Sequence, residues 1–283
     1  MPSHACALRA ETDGDAQQRE VGRAVRESGI PRDEFFVTTK IPCCPGNEFT
    51  NYSSNCNFRR DPAADIAHDF DMLGLDYVDL MLMHWPCDDP KETLSVYRAM
   101  ETLVTKGKAK AVGVSNFNSS ALAALLENDL QVAPAVDQCG YSIAGHFDSL
   151  WGRDDASRDA CVAANCTFMA CACSAIKPSG MLSFCRPFSL VHACLSSLRV
   201  TSADSPLGGW ALGGTGHVLN DPTVRGIAAA HNRSAAQVAL RWVVQQGVVA
   251  VTSSDNPDYV LEDINIFDFE LTNAEMSTLS KIR

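Results

Sequence analysis

Polar side chains close a series of otherwise apolar segments in this chain. "EFFVTTK" ends on Lys40, and "YVDLMLMH" ends on His84 immediately before Trp85 and Pro86. "AKAVGVSN" ends on Ser115 and Asn116, and "PAVDQCG" carries Asp137 and Gln138. A lysine ammonium and a histidine imidazole held in one place can donate to an oxygen that gains negative charge, and can move protons there. Taken singly, each has an ordinary explanation: a solvated lysine capping a strand, a satisfied core histidine, a Ser-Asn helix cap. As a set at successive segment ends, they predict one polar site.

The segments that must position them alternate in type. "EVGRAVRESGI" has Val21, Ala24 and Val25 on one side and a Ser-Gly stop before Pro31, which predicts an amphipathic helix. "EFFVTTK" follows as a strand. Asp61 and Pro62 form a helix start, cap and first turn, ahead of "AADIAHDFDML". "YVDLMLMH" is the next strand, and "PKETLSVYRAMETLVTKGK" a helix closed by Gly107. "AKAVGVSN" (strand), "NSSALAALLENDL" (helix), "PAVDQCG" (strand), "RDDASRDACVAANC" (helix) and "TFMA" (strand) continue the pattern. After a long interruption come a two-part helix over "DPTVRGIAAAHNRSAAQVALRWVVQQG", the strand "VVAVTSS" and two closing helices.

Uniformly apolar strands alternating with helices predict an α/β protein with parallel strands covered on both faces. A doubly wound sheet and a (β/α)8 barrel both satisfy this. Polar residues at the carboxyl ends of successive strands, at Lys40, His84, Ser115-Asn116 and Asp137-Gln138, favour the barrel, where those ends converge on one mouth, over an open sheet, where only the ends at the switch point meet. No G-x-G-x-x-G follows a strand, and "GGTGHVLN" reads as a loop.

Composition narrows the function. With 283 residues the chain can bury a sizeable core. Its net charge of -11 argues against nucleic acid or an anionic membrane as partner, leaving a small molecule as the expected one. No apolar run reaches the ~20 residues that cross a bilayer, and the amino-terminal stretch lacks the apolar core of a secretion signal, so cytoplasmic placement is expected. The 12 cysteines include no C-x-x-C. They are expected to be buried or incidental free thiols, with no zinc site, although Cys43 and Cys44 lie in a loop after a strand.

Taken in order, "FFVTTK", "LGLDYVDLMLMHWP", "GKAKAVGVSNF", "SPLGGWA" and "IFDFELTNAEM" resemble the aldo-keto reductases from about residue 19 to the carboxyl terminus. The resemblance implies a (β/α)8 barrel that binds NADPH or NADH across its mouth and reduces aldehydes and ketones. It implies catalytic roles for Lys40 and His84 and a substrate-pocket wall at Trp85. Ser115, Asn116 and Gln138 would hold the nicotinamide carboxamide, Ser205, Leu207 and Gly208 the pyrophosphate, and Glu262 the adenine. In the family a tyrosine protonates the carbonyl oxygen, its phenol acidified by the neighbouring lysine.

The sequence departs from that pattern in several places. An ungapped reading puts Asp15 on the catalytic tyrosine and Ala10 on its aspartate, and upstream only residues 3–10 could form a strand. The barrel is therefore expected to be incomplete at the amino end. Tyr52 is a remote surrogate. The block 171–204, with four cysteines, seven serines and no acidic residue before Asp204, reads as an insertion or translated non-coding sequence inside a single domain spanning 1–283; a functional lid is the rival reading. Where NADPH-preferring members carry Lys and Arg after the last strand, this chain has Ser253 and Tyr259 with Asp255 and Asp258 nearby, so discrimination for a 2'-phosphate is expected to be weak. Asp137 replaces the usual Asn, and an ionised carboxylate cannot donate to the nicotinamide amide oxygen.

Three functions fit these residues. The first is a carbonyl reductase, impaired by the missing tyrosine and aspartate. The second is a non-catalytic cofactor-binding or regulatory protein of the same type. The third is a lyase or isomerase that uses Lys40 and His84 without redox chemistry.

Overall fold

The computed structural model describes residues 7–9, 15–43, 61–148, 153–170, 215–252 and 256–282. Its described residues divide into two units. One takes residues up to 115 together with 120–136, and the other takes 116–119, 137–170 and 215–282.

In the first unit, strands β1 (Ala7–Arg9), β2 (Phe36–Ile41), β3 (Val78–Met83) and β4 (Ala109–Ser115) lie side by side in that order, all parallel. Helices α1 (Asp15–Glu27), α2 (Pro62–Leu73), α3 (Pro90–Thr105) and α4 (Ser119–Leu126) connect or follow them. Every residue of β3, Asp79 included, is buried, as in a strand covered on both faces. The expected helix starts are present. Asp61 and Asp89 accept from Ala63 N–H and Lys91 N–H, and a proline follows each cap. Gly74 ends α2 in the left-handed conformation at φ 59°, which costs glycine little. Helix α1 begins at Asp15, five residues earlier than its apolar spacing suggests, so the residue at the tyrosine's place opens a helix. Ala7–Arg9 lies inside the one upstream stretch expected to form a strand, and it pairs with β2 at Phe36–Thr38.

The amino-terminal ends of these strands are joined by one buried carboxylate. Asp79 Oδ2 accepts from the Val37 N–H at 2.8 Å and from Arg32 Nη2 at 2.9 Å, while Oδ1 accepts from Lys110 Nζ at 2.8 Å. The Arg32 guanidinium also lies 4.0 Å from the Tyr77 ring centroid and donates to the Tyr77 carbonyl. The hydrogen bond to Asp79 holds the Lys110 ammonium above its usual pKa, with burial pulling the other way.

In the second unit, β5 (Val136–Cys139), β8 (Thr167–Ala170) and β9 (Val249–Ala250) follow one another, and β8 and β9 are parallel. Helix α5 (Asp155–Ala163) precedes β8, and α6 (Thr215–Asn220), α7 (Pro222–His231) and α8 (Ala235–Gln245) precede β9. Helices α9 (Pro257–Ile264) and α10 (Asn273–Leu279) close the chain. Two features differ from the expectation. Thr215–Asn220, read as part of a loop, is a helix whose Val218 is fully buried. A short antiparallel pair, β6 (Phe147–Asp148) with β7 (Arg153–Asp154), stands where no strand was expected. Both elements are too short for periodicity to register.

The core of this unit is aromatic. Tyr141 stacks on Trp242 with centroids 5.6 Å apart and meets Phe168 edge-on at 5.5 Å. Its hydroxyl donates to Asp155 at 2.6 Å, and Arg158 Nη1 donates to that oxygen at 2.6 Å. Burial, then the bond to Asp155, pushes the Tyr141 phenol far above its usual pKa. It is a structural tyrosine.

Candidate active-site residues

Register decides where the first unit's polar side chains fall. Lys40 sits opposite Leu82, and Leu82 opposite Gly113. Opposed residues of parallel strands share a face, and so do residues two apart on one strand. His84 lies two beyond Leu82, and Ser115 two beyond Gly113. All three polar residues therefore belong to one face, at the carboxyl ends of β2, β3 and β4. The His84 N–H donates to the Ile41 carbonyl at 2.8 Å, so the ladder runs one step past β3 before Pro86 removes a donor. Close packing requires the glycine at 113: a Cβ there would meet the Val136 carbonyl oxygen at 2.5 Å and Leu82 Cδ2 at 2.9 Å.

Lys40 is fully buried, and its Nζ reaches Ser115 Oγ at 3.5 Å, a long hydrogen bond. An ammonium in such a place is retained at a cost in solvation, which is the kind of position catalytic lysines occupy. The His84 ring is half-buried and stacks on the Trp85 indole at 5.3 Å with 29° between planes. This unit thus brings Lys40, His84, Trp85 and Ser115 to one edge. A carbonyl oxygen placed there would have N–H and O–H donors beside it.

The second unit holds the amide groups. Asn116 adopts φ 62°, a left-handed conformation that asparagine tolerates better than most residues. Its N–H donates to the Gln138 carbonyl at 3.0 Å, which fixes the two residues to each other. Gln138 Nε2 lies 2.9 Å from Met169 Sδ. Asn116 and Gln138 are both buried, and each carries one carbonyl and one amino group, the complement of a carboxamide. In this respect the donor set fits a nicotinamide. Asp137 fits less well: it is fully buried and accepts from the Cys139 thiol at 3.2 Å. Behind it the Cys166 thiol is pushed up, first by its hydrogen bond with Cys161 and then by burial.

Glu262, expected near an adenine, has an exposed side chain on α9, and its backbone carbonyl accepts from Gln237 Nε2 at 3.1 Å. Tyr259 is 57% exposed, one turn earlier. Sequence reasoning missed the neighbouring Asp263. Burial pushes its carboxyl up to about 6, with a further push from Glu262, against the pull of the Thr252 hydroxyl that donates to it at 2.6 Å. The only signal was an acidic pair at a helix end. Ser205, Leu207 and Gly208 lie outside the described residues, as do Tyr52, Ser253, Asp255, Cys44 and the block 171–204.

One cysteine expectation is corrected. Cys43 and Cys87 form a disulfide across a sequence separation of 44, with Cα atoms 5.4 Å apart. A search for close spacing misses it, because the pairing of β2 with β3 is what makes them neighbours. Cys139, Cys161 and Cys166 are buried free thiols, as expected. Among the described residues, Cys43, Cys87 and Glu92 also form a group whose ligand atoms lie within 4.8 Å of one another.

Comparison with known proteins agrees with the fold. Residues 13–283 match the aldo/keto reductase family. Morphine 6-dehydrogenase of Pseudomonas putida is 34% identical over 273 residues, covering 94% of this chain and 74% of that protein. The 9,11-endoperoxide prostaglandin H2 reductase of Trypanosoma cruzi is 29% identical over 94% of this chain and 74% of its own length. Among solved structures, an aldo-keto reductase enzyme from a Medee basin deep-sea metagenome library superposes with a TM-score of 0.67 at 28% identity, covering 93% of this chain and 76% of that one. One from Brucella melitensis gives 0.69 at 26%, over 98% and 83%. No helix among the described residues is long and apolar enough to cross a membrane. The chain belongs to the aldo/keto reductase family of oxidoreductases, with the α/β barrel type of fold that its apolar strands and helices predict.

Proposed function

We propose that this chain, as one domain over 1–283 working in the cytoplasm, reduces small aldehydes or ketones to alcohols with NADH or NADPH. The observation that carries the reading is the row of Lys40, His84 and Ser115 on one face at the carboxyl ends of β2, β3 and β4. The nicotinamide, when bound, supplies the hydride. The ammonium of Lys40 stabilises the carbonyl oxygen as it gains charge, and His84 orients that oxygen and delivers the proton that completes the hydroxyl. Trp85 forms the wall of the substrate pocket and holds the His84 ring in its stack.

Ser115, Asn116 and Gln138 bind the carboxamide. By resemblance, Ser205, Leu207 and Gly208 take the pyrophosphate and Glu262 the adenine. Tyr259 in place of an arginine leaves little to discriminate a 2'-phosphate, so NADH and NADPH bind comparably. With Asp15 and Ala10 in place of the tyrosine and aspartate, turnover falls about 10²- to 10⁴-fold below that of a relative with a phenolic donor. That same substitution favours a second reading, a cofactor-binding protein without turnover.

Titrating the chain into NADH and NADPH while following cofactor fluorescence, then adding an aromatic aldehyde and following nicotinamide absorbance, separates the readings. The reductase gives binding and slow turnover that His84→Ala abolishes. Binding with no turnover on any aldehyde supports the second reading, and conversion that needs no nicotinamide assigns a lyase or isomerase.

A further inference from the structure

Three facts meet at the carboxyl ends of β2 and β3. Cys43 follows Lys40 by three residues and Cys87 follows His84 by three, and the two sulfurs are bonded. The Cα separation of 5.4 Å is one that a disulfide spans without moving the backbone. Cys43 is fully buried, whereas Cys87 is 8% exposed. The Cys87 backbone is in turn fastened to α3, because its N–H donates to Thr93 Oγ1 at 2.9 Å. Glu92, on the first turn of the same helix, brings a carboxylate within 4.8 Å of both sulfurs.

We propose that Cys43 and Cys87 are a reversible redox latch on the segment that carries Lys40 and His84, closed by small-molecule disulfides and opened by small-molecule thiols. The less deeply buried cysteine of the two, Cys87, reacts first. The Cys87 thiolate attacks one sulfur of a low-molecular-weight disulfide, breaking its S–S bond and expelling one thiolate, which takes up the proton that Cys87 lost. The Cys43 thiolate then attacks the Cys87 sulfur, forms the internal bond and expels the second small thiolate, which takes the proton from Cys43. Two protein thiols are oxidised and one small disulfide is reduced to two thiols. Reversal by excess small thiol enters through the same cysteine.

Closing the bond ties the ends of β2 and β3 together just beyond the His84 N–H to Ile41 carbonyl hydrogen bond. Opening it leaves that last step of the ladder to fray, and Lys40 and His84 lose their fixed register. Only this last consequence rests on the reductase reading. The latch itself is a matter of thiol chemistry and backbone protection.

The full chain is equilibrated in glutathione buffers of stepped reduced-to-oxidised ratio and quenched in acid, its free thiols are alkylated, and its peptides are mapped by mass. In parallel, hydrogen exchange of the peptide spanning 84–87 and the melting temperature are measured at each ratio. The latch predicts a Cys43–Cys87 linked peptide whose yield follows the ratio, exchange at 84–87 about 10-fold faster in the reduced state, and a melting temperature lower by on the order of 5–10 °C on reduction. Cys87→Ser removes all three dependences. Because the wild-type titration needs no variant, a folding defect in Cys87→Ser cannot rescue the proposal.

Absence of the linked peptide at every ratio, or identical exchange at 84–87 in the two states, overturns it. So does native mass spectrometry of the reduced chain in which one Zn²⁺ binds stoichiometrically and blocks reoxidation, since the group with Glu92 would then be a metal clip. Lack of carbonyl turnover in both redox states defeats the reductase reading and leaves the latch standing.

Discussion

The two ends of the first unit's strands carry comparable amounts of polar chemistry and use it differently. At the amino-terminal end, Asp79 is buried, and its two oxygens take an arginine, a lysine and a backbone N–H, every contact at 2.9 Å or shorter. At the carboxyl end, Lys40 is equally buried, but its Nζ reaches a serine hydroxyl at 3.5 Å, and the next polar group along the face is a half-buried imidazole. The first arrangement is closed: both oxygens of the buried carboxylate are taken by donors of the chain itself, so removing Asp79 strands buried partners. The second is open in the sense that its imidazole is partly reached by solvent and its lysine–serine bond is long. In a parallel sheet of this type, polar residues at the amino ends of strands serve stability and those at the carboxyl ends serve chemistry.

That contrast predicts opposite responses to substitution. The largest effect falls on turnover: Lys40→Met lowers carbonyl reduction about 10²- to 10⁴-fold. Chemical denaturation of the same variant, which keeps the length and the apolar stem of the side chain, shows a smaller change than Asp79→Ala. Asp79→Ala reverses the pattern. It strands the Val37 N–H and leaves Arg32 without its carboxylate, and urea unfolding reports a loss of about 3 kcal/mol, while turnover per folded molecule stays near wild type. If both variants lost stability equally and kept activity equally, the two ends would not differ in kind.

A smaller effect comes from Asp263, and its sign depends on pH. Its carboxyl has a pKa of about 6 in the folded chain against 3.8 as the ordinary value, so the folded state binds this proton more tightly than the unfolded one. The stability it contributes is complete below pH 3.8 and is lost as the pH rises through about 6. Unfolding measured at about pH 5 and about pH 8 therefore shows Asp263→Asn gaining on wild type by about 1–2 kcal/mol more at the higher pH than at the lower, where part of the loss has already occurred. A gain that is the same at both values contradicts the assignment. Smallest is Lys110→Ala. Its ammonium is 56% exposed, so losing its bond to Asp79 costs under about 1 kcal/mol by the same unfolding assay, and less in high salt.

How much of this could be read from residues alone follows from the range of the interactions. Helix starts such as Asp61-Pro62 are local: cap and proline are adjacent, so the sequence displays them. Strand ends carrying Lys40, His84 and Ser115 are nearly as legible, since apolar runs mark the strands and the ends follow. The Asp79 cluster and the Cys43–Cys87 bond are not legible. Each joins residues tens of positions apart, and only the register of β2 on β3 and of β3 on β4 makes them neighbours. Asp263 escapes for a different reason. An exposed and a buried carboxylate look alike in sequence, and Glu262 beside it is the one whose side chain is exposed. The helix over Thr215–Asn220 is hidden in the sequence by the two glycines that precede it, a composition that reads as a loop.

The central claim is that Lys40 and His84, at the open end of these strands, hold and protonate a carbonyl that takes its hydride from a bound nicotinamide. It is tested most directly by supplying NADH or NADPH deuterated at the transferring position, together with an aromatic aldehyde, and weighing the alcohol. The account predicts deuterium on the alcohol carbon with the wild-type chain and none above background with His84→Ala or Lys40→Met, while Asp79→Ala still labels the product. Unlabelled alcohol from wild type, or labelling that survives both substitutions at the open end, contradicts it.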